Sequence, residues 1–164
     1  MPKITALLHC HSQPEQLARA LETLRACDEI VIINHDSDNE TGRVGRQYGA
    51  TVKVGVPGVS FGTYLVDASN DWILCLKPSE SLSDELEASL LEWKQQEHEA
   101  AETFAVSVRV QQDTSWETRG HHTRLVNRTY VNWTTELPPD TENSEVIPGD
   151  LLEIESAAAE KKAS

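Results

Sequence analysis

Short apolar runs alternate with helical patterning through the first half of the chain. Ile4 to Cys10, Ile30-Val31-Ile32-Ile33, Thr51-Val52-Lys53-Val54 and Trp72-Ile73-Leu74-Cys75-Leu76 each have the length and the continuous apolar character of a buried strand. Between the first two, Leu17, Leu21 and Leu24 recur at helical spacing. Ser12 opens that helix, with Glu15 three residues on and Pro14 in its first turn. A helix over 41–48 closes at Gly49, and a short one is predicted over 61–68. The alternation is that of βαβ units, which build a parallel sheet.

The second half is patterned differently. Ser83 caps a helix predicted over 84–101, with Leu86, Leu90 and Trp93 as its buried stripe. Phe104, Val106, Val108 and Val110 then alternate with Ala105, Ser107, Arg109 and Gln111, a half-buried strand. Residues 113–122 read as a loop. Residues 124–133 read as one or two strands with a turn near Asn127-Arg128, and 146–154 as a weak edge element. The whole predicts an α/β fold, a mostly parallel sheet between helices with an antiparallel addition. One domain is expected over 1–154, with a disordered tail over 155–164.

Charge narrows the function. A net charge of −13 argues against non-specific nucleic-acid binding, which needs a basic face, and against an electrostatic hold on anionic lipid. No apolar run approaches the ~20 residues of a membrane span. The chain runs directly into a strand without a leader pattern, so no signal peptide is expected. Cys10, Cys27 and Cys75 lack zinc-site spacing and are odd in number. They read as reduced, mostly buried thiols in a cytoplasmic protein.

In parallel sheets, ligands bind beyond the carboxyl ends of the strands. Two loops leave such ends, 34–39 and 77–80, and a site is expected between them. His9, His11, His35 and Asp36 lie at the ends of the first two strands, where a metal site is conceivable and polar residues on a sheet edge are the plainer reading. The chain lacks a phosphate-loop glycine pattern and His-Glu-x-x-His.

Several blocks, in order, resemble the N-terminal half of family 2 glycosyltransferases, nucleotide-sugar enzymes of the GT-A fold. Ile4-Thr5-Ala6-Leu7-Leu8 with Ala20-Leu21-Glu22-Thr23-Leu24 looks like the family's first strand and helix. Asp28-Glu29-Ile30-Val31-Ile32 and Tyr48-Gly49-Ala50-Thr51-Val52 look like its next two blocks. Trp72 to Leu76 resembles the strand before its metal motif, and Glu80 with Ser83-Asp84-Glu85-Leu86 resembles the segment after that strand. Arg124-Leu125-Val126-Asn127-Arg128 is similar to a later strand. The resemblance implies a GT-A α/β/α sandwich and a nucleotide-sugar or glycan ligand. The site it implies comprises Asn34, Asp36, Asn39, Lys77, Ser79, Glu80 and Arg124, with Glu136 near the place of the family's base.

The sequence departs from the family where the chemistry sits. Asn34 and Asn39 stand at positions of loop aspartates, and Lys77-Pro78-Ser79-Glu80 stands where the family has Asp-Ala-Asp-Glu. A hard divalent ion is held by such carboxylates together with substrate phosphates. A lysine ammonium in their place repels the ion, by roughly 4 kcal/mol per unit charge at ~4 Å and an effective dielectric of ~20. The family's metal is therefore not expected, and no cofactor is. Two readings are open: metal-independent glycosyl transfer with Lys77 facing the leaving diphosphate, or a degenerate glycosyltransferase-fold protein that serves as a binding or partner domain.

Overall fold

A computed structural model describes residues 1–11, 14–35, 39–56, 64, 68–129 and 135–154. The elements in order are β1 (Ile4–Cys10), α1 (Pro14–Glu22), β2 (Glu29–Asn34), α2 (Asn39–Gln47), β3 (Thr51–Val54), β4 (Trp72–Cys75) and β5 (Glu80–Leu82). Then come α3 (Asp84–Trp93), β6 (Thr103–Gln112), β7 (Ser115–Asn127) and β8 (Glu145–Glu153). The strands form one sheet in the order β3-β2-β1-β4-β7-β6-β8-β5. The first four strands of that order are mutually parallel. β7 then pairs antiparallel with both β4 and β6, β8 runs parallel to β6, and β5 closes the far side antiparallel to β8. The α/β class expected from the alternation is the class observed.

β1 explains the continuous apolar run. All of its residues are buried, because β1 lies between β2 and β4 and is covered on both faces. Ile4, Ala6, Leu8 and Cys10 share one cluster with Leu17 and Leu21 of α1, Val44 of α2, and Leu86, Leu90 and Trp93 of α3. Leu7 points the other way, with Val31, Ile33, Ile73 and Val126, and packs against Tyr64, Ala68 and Leu137. The described helices thus cover one face. The helix expected over 61–68 lies outside the described residues, except for Tyr64 and Ala68. The tail over 155–164 and the cap Ser12 lie outside them too. Cys10 and Cys75 are buried free thiols.

Three expectations from the second half are corrected. The helix predicted over 84–101 stops at Trp93. The Lys94 ammonium reaches back to Asp28 and to the Ala26 carbonyl, and His98 stacks on Trp93 at 4.1 Å, so the chain folds over its own end. The loop predicted over 113–122 is mostly strand: β6 and β7 form a long hairpin, and Asp113 takes the turn at φ 52°. β8, predicted as a weak edge element, is an interior strand between β6 and β5. The exposed arm of β7 lacks the apolar alternation that announces a strand. Its structure comes from cross-strand pairing.

Candidate functional site

β1, β2 and β4 are parallel neighbours, so their carboxyl ends, Cys10, Asn34 and Cys75, share one edge of the sheet. The described parts of the two loops expected to flank a site therefore sit together. The ladder continues one step past β2: the His35 amide donates to the Cys10 carbonyl at 2.9 Å. That step brings His35 against the end of β1. His9 Nδ1 and His35 Nε2 are 2.7 Å apart. The His11 ring lies on the His35 ring at 4.7 Å and 7° from parallel. Glu136 arrives from far along the chain and places Oε1 2.5 Å from His11 Nε2 and 3.8 Å from His35 Nε2. Tyr64 meets His9 and His35 edge-on.

Glycine makes room for this arrangement. A Cβ on Gly55 would lie 2.3 Å from His35 Nδ1. Burial lowers the His9 pKa to about 4, partly opposed by the Glu136 carboxylate and reinforced by the neighbouring imidazoles. Burial also lowers that of His35, with His11 adding to the shift and Glu136 opposing it. Both rings are therefore favoured neutral near pH 7. The Cys10 thiol beside them is pushed up to about 12 by burial and by Glu136, which leaves it un-ionised and unreactive.

Beyond these strand ends is a cavity of about 390 Å³, lined by His9, His11, residues 76–79 and residues 135–137. Lys77 and Ser79 face it, and both contact Glu153 of β8, at 3.3 and 3.2 Å. Lys77 also borders a second cavity of about 490 Å³ with Arg119, His122 and Glu153. Asn34 is half-buried at the end of β2, and Asn39 is exposed at the start of α2. Asp36 lies outside the described residues.

Glu80 and Arg124 line that second cavity beside Lys77. Both are buried, and they bind each other through two hydrogen bonds. Glu80 Oε1 also accepts from the Lys77 amide at 2.8 Å. Both of its oxygens are thus engaged within the protein. Lys77, Pro78, Ser79 and Glu80 do not fit a hard divalent cation, because an ammonium is present and the carboxylate is already neutralised by a guanidinium.

The sequence placed His9, His11 and His35 at neighbouring strand ends. It did not join them to Glu136, which lies 125 residues from His11. Glu153 was missed as well, and no local signal marks it. The chain matches no family model. Over 92% of its length it is 26% identical to an uncharacterized glycosyltransferase of Rickettsia felis. Over the same share it is 24% identical to another of Rickettsia prowazekii. It spans 57% and 55% of those relatives, about half of each. Among solved structures, 4-diphosphocytidyl-2C-methyl-D-erythritol synthase aligns over 98% of this chain and 97% of its own, with a TM-score of 0.59 and 16% identity. That likeness shows a shared α/β fold. Among the described residues, no helix is long and apolar enough to cross a membrane.

Proposed function

We propose that this chain is a nucleotide-sugar-binding domain of the glycosyltransferase type, a divergent relative of family 2, and that its ligand occupies the cavity beyond β1 and β4. Lys77 carries the reading. Its side chain is 47% exposed at the cavity, beyond the carboxyl end of a parallel strand, where α/β sheets take their ligands. Similarity to proteins named as glycosyltransferases supports it.

In this reading the Lys77 ammonium neutralises the diphosphate as it leaves, and the Ser79 hydroxyl donates to it. Asn34, at the end of β2, and Asn39, at the start of α2, are the candidates for the nucleoside end. Arg124 acts through Glu80: it holds the carboxylate that fixes the Lys77 backbone. Glu136, paired with His11, is the candidate base. No divalent ion takes part at 77–80. The alternative, a domain that binds without turnover, is favoured by the same tetrad, since it presents no metal-holding carboxylate.

Calorimetric titration of UDP, GDP and dTDP-sugars, with and without Mn²⁺, tests the proposal. Binding that weakens in Lys77→Ala and is indifferent to Mn²⁺ is the expected outcome. Absence of binding by every donor refutes it, and so does binding that requires Mn²⁺. Release of free nucleotide from the bound donor separates transfer or hydrolysis from binding alone.

A further inference from the structure

The histidines at the strand ends carry a second inference, independent of the nucleotide-sugar reading. We propose that His9, His35 and Glu136 form a site for a borderline divalent transition-metal ion, with Zn²⁺ as its natural probe. One donor atom from each of the three lies within 4.8 Å of the other two. Tetrahedral zinc with bonds of ~2.0–2.1 Å needs ligand atoms about 3.3 Å apart. The separations of 2.7 Å between His9 and His35 and 3.8 Å between His35 and Glu136 bracket that value. Small ring rotations convert the hydrogen-bonded cluster into a coordination site.

The donor set selects the metal class. Two imidazoles and one carboxylate suit zinc and its neighbours in the first transition row, whereas magnesium and calcium prefer all-oxygen shells. Three protein ligands leave a coordination position open. His9 and Glu136 both line the cavity, so that position has access to a ligand there. The surroundings orient the donors. His11 hydrogen-bonds Glu136 at 2.5 Å, and Gly55 leaves the space that the His35 ring fills. The three ligands are distinct from residues 77–80, although His9 and Glu136 line the same cavity as Lys77. With metal bound, Glu136 is a ligand and no longer a free base.

The test is calorimetric titration of the whole chelator-stripped chain with Zn²⁺ and no nucleotide, with thermal melting alongside. One equivalent should bind and raise the melting temperature. His35→Gln and Glu136→Gln should each weaken binding by roughly tenfold or more, since even residues that only orient ligands cost about that much. His122→Ala, whose ring bonds Asp140 elsewhere, should bind as wild type does. Mn²⁺ should bind more weakly than Zn²⁺. Glu136 is partly exposed, so Glu136→Gln should melt as metal-free wild type does, and its titration reads ligation rather than misfolding. The site is refuted if wild type takes up no stoichiometric Zn²⁺, if the Gln variants bind unchanged, or if Mn²⁺ binds equally well. Sugar-nucleotide titration is a separate measurement, so the two proposals fail separately.

Discussion

Arg124 of β7 grips Glu80 at the start of β5 with both terminal guanidinium nitrogens, at 2.6 and 3.0 Å, and the two side chains are 5% and 0% exposed. A third bond, from Arg124 Nη1 to the Cys75 carbonyl at 3.3 Å, ties the pair to the end of β4. The pair thus fixes the turn that presents Lys77.

Breaking this pair from one side should be costly. Glu80→Gln leaves a buried guanidinium without its counter-charge, and Arg124→Met does the same to the carboxylate. Each should destabilise the fold by about 3–5 kcal/mol in urea denaturation. Replacing both with apolar residues should cost clearly less than the sum of the single changes. Additive single and double effects would show that the charges are not coupled.

Gly149 of β8 is where the sheet docks on the start of α3. Its φ is 113°, and a Cβ there would lie 2.3 Å from the Leu86 backbone nitrogen. The neighbouring Asp150 amide donates to Ser83 Oγ, which also accepts from the Leu86 amide. Gly149→Ala should therefore cost at least ~2 kcal/mol, from backbone strain and overpacking together. Ser83→Ala should cost about 1 kcal/mol as a lost cap. Melting curves equal to wild type for Gly149→Ala would contradict this docking.

Glu29 makes stability depend on acidity. Burial works to raise its pKa, but hydrogen bonds from the Ser69 amide and hydroxyl and the Thr5 hydroxyl, with the Lys53 charge, outweigh it. The net shift is downward from 4.5. A carboxylate whose folded pKa lies below its unfolded value stabilises fully above the unfolded value, and that contribution is lost as pH falls through the folded one. The stability gap between wild type and Glu29→Gln should therefore be present at about pH 6 and shrink toward about pH 3. A gap independent of pH would mean that the contacts act without the charge.

Much of the parallel half was legible because each residue's partners are local or strictly periodic. Leu17 and Leu21 announce a buried helical face, and Gly49 announces a helix end that takes φ 77°. The exposed part of β7 was not legible, since hydrophobic burial marks only its second half. Trp93 gave no sign that it ends a helix. It does so because His98 and Lys94 find partners behind it.

The sequence by itself determined the α/β class, the order of the first strands and helices, and the sheet edge where polar loops gather. Those depend on hydrophobic burial and its period, which are properties of short segments. Tertiary structure alone decided how the charged and ligating side chains meet. Glu80 finds Arg124, and Glu136 finds His11 and His35, across separations of 44, 125 and 101 residues, the last being 136 − 35. Electrostatics and hydrogen bonding act over a few ångströms in space, and the chain places those atoms together only after the sheet has closed around them.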